Sequence, residues 1–218
     1  MRVQGCEFRV SVGELGCCEL TSAPTSALLD RIAAAVRARE PRYAERDEPF
    51  WEAAVALVLR ERAGQGAEML FIQRAVREGD PWSGQVALPG GRRDEGENDL
   101  AVTVVRETCE ETGINIRTQG ELIGPLDELR PRTPVLPPVI VRPYVAVLPA
   151  TVEPTTSDEV AGFFWAPLSV LFDPANTRNT RVRTRGAFWI WHDAIHYEGQ
   201  VIWGMTQRIV KTLQEVAK

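Results

Sequence analysis

Long apolar runs are missing from this chain. No window of its 218 residues reaches the ~18 apolar positions that a membrane span needs. The opening stretch, MRVQGCEFRVSVGELGCCEL, scatters charges where a signal peptide carries its apolar segment. A cytoplasmic location without a membrane partner is the expectation. Basic charge is also in deficit, with 25 Lys and Arg against 30 Asp and Glu, so the electrostatic footprint of a nucleic-acid binder is absent. A small anionic substrate stays open, because a bound cation can reverse the local sign of a site. The four cysteines, at 6, 17, 18 and 109, fit no zinc spacing. The two histidines, His192 and His196, have no third ligand in view. No P-loop, dinucleotide fingerprint or internal repeat accompanies any predicted strand.

What is present has the balance of an ordinary globular domain: 44% hydrophobic and 25% charged residues. Residues 1–24 read as an irregular leader and 25–218 as one domain. A helix is expected over TSALLDRIAAAVRARE, capped by Thr25 or Ser26 and ended by Pro41. Its apolar stripe is Leu28, Leu29, Ile32, Ala35 and Val36. WEAAVALVLRE, residues 51–61, is a continuous apolar run, the mark of a strand buried on both faces. EMLFIQRA follows as its hairpin partner. QVALPGG is a short strand entering a turn, and LIGPLDEL gives another brief strand. RPRTPVLPP is a proline-rich loop in which Arg130 and Arg132 are candidates to line a site. VIVRPYVAVLPA is a further strand, and DEVAGFFWAPLSVLF is a strand leading to a short helix near Pro167. AFWIWHDAIHYEGQVIW reads as two strands around a turn. GMTQRIVKTLQEVAK closes the chain as an amphipathic helix with Met205, Ile209, Val210, Leu213 and Val216 inward. The order lacks a regular βαβ alternation, so an α/β fold with a mixed sheet between helices is expected.

The informative stretch is LPGGRRDEGENDLAVTVVRETCEETGI, residues 88–114. Leu100 to Thr112 has helical periodicity, and Gly113 stands where a left-handed cap residue belongs. Glu107, Glu110 and Glu111 are three and four residues apart and share one face. Acids at a helix C-terminus oppose the macrodipole. A solvated acidic face costs about 1 kcal/mol in repulsion and dipole opposition together, so it can be merely tolerated. The alternative is a hard-cation site, since Mg²⁺ and Mn²⁺ take oxygen ligands in octahedral geometry.

This stretch resembles the Nudix box, G-x5-E-x7-R-E-U-x-E-E-x-G-U with U a bulky apolar residue. Gly91 and Glu97 keep the first spacing. RETCEETGI supplies Arg106, Glu107, Glu110, Glu111, Gly113 and Ile114, with Thr108 at the first U. The gap from Glu97 to Arg106 is one residue longer than the general pattern, as in the coenzyme A pyrophosphatase-like branch. The resemblance extends over roughly residues 50–212 and implies a Nudix-type α/β/α sandwich. It implies a Nudix hydrolase, a pyrophosphatase using Mg²⁺ or Mn²⁺. The substrate class is a nucleoside diphosphate derivative, with coenzyme A or a related compound first.

On that resemblance Glu107 and Glu111 are the primary metal ligands and Glu110 a third. Gly91 can offer a backbone carbonyl, and Arg106 orients the acids with Glu97 as its partner. An acid outside the box can serve as base or further ligand; Glu159 ranks first, beside Asp158, Asp127 and Glu128. Arg74 and Arg77 are candidates for phosphate contact and Trp82 for stacking on the ligand. The segment QRAVREGDPWSG departs from the coenzyme A motif, because Ala75 replaces a serine, Arg77 is displaced, and Leu88 stands where phenylalanine is usual. Nucleotide sugars, dinucleoside polyphosphates and oxidised nucleotides are the runner-up substrates, and a non-catalytic nucleotide sensor is a second alternative. Tryptophan-rich strands permit a homodimer.

Overall fold

The computed structural model describes residues 27–77, 83–131, 138–183 and 189–218. The expected leader, the caps at Thr25 and Ser26, Trp82 and Arg132 lie outside the described residues. In chain order the elements are helix α1 (Ala27–Ala38), strands β1 (Trp51–Arg62), β2 (Gly66–Arg74), β3 (Val86–Ala87) and β4 (Gly90–Arg92), then helices α2 (Leu100–Thr112) and α3 (Ile116–Gln119). Strands β5 (Glu121–Pro125), β6 (Val139–Leu148) and β7 (Val160–Pro167), helix α4 (Leu168–Leu171), strands β8 (Thr177–Arg183), β9 (Trp189–Tyr197) and β10 (Gln200–Ile202), and helix α5 (Gly204–Val216) complete the chain.

β1 is the axis of the main sheet. It pairs parallel with β6 on one edge and antiparallel with β2 and β4 on the other. β3 and β7 extend the sheet from β2, and β5 extends it from β6. One parallel pair among antiparallel ones makes the sheet mixed.

The period-two alternation of β1 divides the core. Leu57 and Leu59 join Met69 and Phe71 of β2 on one face, where α1 supplies Leu29, Ile32 and Val36 and α5 supplies Ile209, Val210 and Leu213. Ala54, Ala56 and Val58 face the other way with Leu70, against Leu100, Val104 and Val105 of α2 and Ile116 of α3. Helices thus cover both faces, and the fold is the expected α/β/α sandwich. Alanine at 54 and 56 keeps the second face low, so α2 can lie close to the sheet.

Two elements differ from the sequence reading. α3 and β8 were not expected, and β8 joins β9 and β10 in a separate three-stranded sheet. β8 reads TRNTRVR and buries only Val182, so it lacks the apolar alternation that reveals a strand. On β9, Trp189 and Trp191 are 54% and 69% exposed, which rules out the core for both. Ile190 between them is exposed too, so it is the whole start of β9 that lies open, and burial begins only at Ala194 and Ile195. Among the described residues no helix is long and apolar enough to cross a membrane.

Candidate active site

The site forms where β4 passes beneath the last turns of α2. Asp99 starts that helix by accepting from the Ala101 N–H, and Gly113 ends it at φ 71°. Both ends fall where side-chain capping and a left-handed C-cap are favoured. On β4, Gly91 lies opposite Ala54, on the sheet face that α2 covers, and Gly90 opposite Val55.

The two glycines are required for different reasons. Gly90 has φ 144°, and a Cβ there would lie 2.2 Å from the Ala54 carbonyl oxygen. Its N–H donates to Glu111 Oε2 at 2.8 Å. A Cβ on Gly91 would stand 2.4 Å from the carboxyl carbon of Glu107. The missing side chain at 91 is therefore the space that Glu107 occupies.

Glu111 is only 3% exposed. Burial pushes its carboxyl up to about 7, against the pull of the Gly90 N–H and of Arg74, and the charges of Glu107 and Glu159 push the same way. Burial also raises Glu107, with Arg106 opposing. Two carboxylates held against their own charge by loss of water form a site that a cation relieves. The donors are all hard oxygens, the set that suits Mg²⁺ or Mn²⁺.

Arg106 ties the acids together. Its Nε donates to Glu97 Oε1 at 2.8 Å, and Nη1 reaches Glu107 at 3.0 Å and Glu110 at 3.1 Å. Nη2 donates to the Arg92 carbonyl at 3.1 Å, which fixes helix to strand. Desolvation works against the guanidinium's charge, but Glu97 and Glu107 outweigh it and hold the group firmly protonated. Burial alone would raise Glu97. Hydrogen bonds from Arg106, Thr103 and the Asp94 N–H outweigh it and bring Glu97 down to about 2.

A carboxyl whose folded pKa lies below its unfolded value stabilises the fold above the unfolded pKa. That contribution is lost as pH falls through the folded one. For Glu97 the window runs from about 4.5 down to about 2. Arg106→Gln is expected to move acid unfolding to higher pH. An acid titration followed by circular dichroism, with Glu97→Gln as a second arm, checks this; an unchanged acid midpoint in Arg106→Gln contradicts it.

The three glutamates do not converge as the spacing implied. Glu110 has a 55% exposed side chain and pairs with Arg106, whereas Glu111 turns inward. Adjacent helical residues differ by about 100° around the axis, so here Glu111 points at Gly90 of β4 while Glu110 points toward Arg106. Among the described residues no group of three Asp, Glu, His or Cys side chains forms a ready metal cage. The inward acids are Glu107 and Glu111.

The other candidates separate cleanly. Arg74 ends β2, with Nη1 3.8 Å from Glu111 Oε1. Arg77 pairs with Glu159 at 3.1 Å and donates to the Asp158 carbonyl at 3.0 Å. Glu159 thus stands at the site's rim, close enough for its charge to act on Glu111. Asp127 accepts from Arg39 and the Arg42 N–H. Glu128, its side chain fully buried, holds Arg46, Arg142 and the Ala44 N–H. These two acids are occupied in tying residues 39–46 to the sheet. Arg130 is similarly engaged with Asp47 and Glu48. Sequence reasoning missed Thr103 and Asp99. Asp99 carried a signal, an N-cap residue immediately before an apolar periodic run; Thr103 carried none.

Fold and site together define an α/β/α protein with an acidic helix set against a Gly-Gly strand. The family model for the NUDIX domain matches residues 50–185, and the chain belongs to the NUDIX family. It is 33% identical over 170 residues to NudL of Citrobacter koseri, an uncharacterized Nudix hydrolase, across 74% of this chain and 80% of that one. It is 36% identical over 110 residues to an uncharacterized protein of Schizosaccharomyces pombe. That alignment takes in 49% of this chain, which spans only 33% of the yeast protein's length. A MutT/nudix family protein from Enterococcus faecalis superposes with a TM-score of 0.51 at 20% identity, over 88% of this chain and 70% of that one. That likeness concerns the fold alone.

Proposed function

We propose that residues 25–218 act as a single hydrolase domain that uses Mg²⁺ or Mn²⁺ to cleave the diphosphate linkage of a nucleoside diphosphate derivative. Coenzyme A or a related compound is the first candidate substrate. The observation that carries the reading is Glu111: a carboxylate almost wholly removed from water, beside Glu107, with guanidinium groups at the rim. Such a group is costly unless a cation shares it.

Glu107 and Glu111 would hold the ion, with the Gly91 carbonyl on β4 as a further oxygen. Glu110 would join only by leaving Arg106. A divalent ion there supplies Lewis-acid stabilisation of charge on phosphoryl oxygens and lowers the pKa of a bound water. Arg106 fixes Glu107 and the strand relative to each other, so the ligands are oriented before substrate arrives. Arg74 and Arg77 can present their planar guanidinium forks to phosphate oxygens. Glu159 is the acid outside the box best situated to accept a proton from the attacking water. The same reading takes a cytoplasmic small molecule as substrate and a homodimer as the assembled form.

The test is a panel of coenzyme A, nucleotide sugars, dinucleoside polyphosphates and oxidised nucleotides, incubated with Mg²⁺ or Mn²⁺ and analysed for cleavage at the diphosphate. Metal-dependent cleavage of one class supports the reading and names the substrate. Nucleotide binding without product under every metal condition would instead support a sensor.

A further inference from the structure

Thr155 ties the acid helix to the segment that carries Glu159. α2 ends at Thr112, whose carbonyl has no donor left inside the helix. It accepts instead from the Thr155 N–H at 2.8 Å, with the Thr155 hydroxyl 3.4 Å from the same oxygen. Thr155 can sit this close because Gly113 is bare. A Cβ on Gly113 would lie 2.5 Å from Thr155 Oγ1. Gly113 therefore has two uses: it takes φ 71° to cap α2, and it leaves a seat for Thr155. The segment is pinned on either side of that seat. Upstream, Arg60 donates to the Val152 carbonyl at 2.9 Å and to Glu153 at 2.8 Å, and Pro154 is buried. Downstream, the Val160 N–H donates to the Ser157 carbonyl at 3.1 Å, and the Ala75 N–H donates to the Glu159 carbonyl at 2.9 Å. Arg77 pairs with the Glu159 side chain at 3.1 Å. Residues 155–159 thus span from the end of α2 to the exit of β2.

We propose that Thr155, seated on Gly113, is a positioning residue that sets the reach of the Glu159 carboxylate to the cation site at Glu107 and Glu111. This rests on the reading above, in which Glu159 accepts a proton from the attacking water. A base must stand within hydrogen-bond reach of that water, directly or through one more. An error of about 1 Å in such a group can cost 10²-fold. The Glu159 side chain is 55% exposed, so packing does not hold it in place. Its backbone must be held instead, and against the helix that carries the metal ligands. The Ala75 and Arg77 contacts tie Glu159 to the exit of β2. The Thr155 contact ties the same span to α2. With Thr155 unseated, the span pivots on the Ala75 bond. Glu159 then moves relative to Glu111, while Glu107 keeps Arg106 and Glu111 keeps the Gly90 N–H.

The experiment compares Gly113→Ala with Gly113→Ala/Thr155→Ala in the full chain. Both carry the strain of alanine at φ 71°. Only the first carries the clash, because the Thr155 Cβ lies 3.7 Å from the added atom, an ordinary contact. The substrate is coenzyme A with Mn²⁺ or, where that is not cleaved, the member of the panel above that is. In Gly113→Ala kcat is expected to fall about tenfold, with KM and the calorimetric Mn²⁺ affinity unchanged. The double variant recovers most of the loss. In a Glu159→Gln background Gly113→Ala has no further effect, because both changes act through one group. Amide hydrogen exchange on metal-free protein reads the seat directly. Protection of the Thr155 N–H falls about tenfold in Gly113→Ala and returns in the double variant. Thr155→Pro removes that N–H without touching α2, and it shows the same kcat loss even if Gly113→Ala folds poorly. Wild-type kcat in folded Gly113→Ala or in Thr155→Pro overturns the positioning role. A loss that persists in the double variant, or that adds fully to Glu159→Gln, also overturns it. Weaker Mn²⁺ binding in Gly113→Ala overturns it too, by placing the effect at the metal ligands. Full activity in Glu159→Gln overturns the base assignment and the positioning role with it, and leaves the metal site standing. A wild-type protein that cleaves no member of the panel overturns the hydrolase reading and this role together.

Discussion

Glu111→Gln is expected to lower metal-dependent diphosphate hydrolysis by roughly a thousandfold while making the metal-free protein harder to unfold. The two effects share one cause. Glu111 is 3% exposed, and loss of water raises its carboxyl to about 7. For an acid whose folded pKa lies above its unfolded value, the sign is fixed. The fold suffers no penalty below the unfolded pKa, and the penalty grows as pH rises through the interval to the folded one. With the shift from 4.5 to about 7, the penalty above pH 7 approaches about 3 kcal/mol. Glutamine removes the charge and keeps an oxygen to accept the Gly90 N–H, so most of that penalty disappears. A buried oxygen that no longer carries a full charge is a poor partner for Mg²⁺ or Mn²⁺. Losing an electrostatic element of a catalytic site costs about 10²–10³ in rate, and a direct metal ligand belongs at the upper end. Thermal melts at pH 8 in chelator and at pH 5, beside hydrolysis assays in Mg²⁺, check both halves. A variant less stable than wild type at pH 8 in chelator, or one that retains full activity, contradicts the assignment of Glu111.

Alanine at the two adjacent glycines is expected to produce two different failures. At Gly90 the added Cβ meets backbone, the Ala54 carbonyl oxygen at 2.2 Å and the Val55 Cα at 2.5 Å, at a φ of 144°. Backbone in the middle of a sheet cannot yield, and an L side chain is strained at that φ. Gly90→Ala should cost about 3 kcal/mol or more, the combined order of overpacking and backbone strain. It should also pull the N–H away from Glu111. At Gly91 the added Cβ meets only the carboxyl end of Glu107, at 2.4–2.5 Å. A side-chain end can swing aside, so Gly91→Ala should keep the fold but move Glu107 off the site. Its melting temperature should stay near wild type while activity falls about 10²-fold, the order expected when a catalytic group is displaced by about 1 Å. Urea unfolding and hydrolysis measured on both variants separate the cases. Equal loss of stability at the two positions would show that Glu107 does not occupy the space left by Gly91.

Much of the architecture was written in local pattern. α2 has the bounds its periodicity required, Leu100 to Thr112 with Gly113 as cap. The apolar run at 51–61 became the central strand, because only a strand paired on both edges and covered on both faces buries consecutive residues as 56–60 are buried here. The short β8, with one buried apolar residue, left no comparable trace.

The sequence by itself determined which acids share a helix, that two glycines precede them, and the family to which the chain belongs. Those are properties of spacing along the chain. Only the tertiary structure decided which acids turn inward. Glu111 is buried because β4 passes below it with a donor N–H at Gly90, Glu107 fits because Gly91 has no side chain, and Glu110 remains outside with Arg106. It also decided that Arg74 and Glu159 stand at the same rim, whereas Glu128, equally acidic in sequence, is occupied by Arg46 and Arg142. The reason is physical: a carboxylate's solvation and partners come from strands and loops distant in the chain, and spacing within a helix carries no record of them.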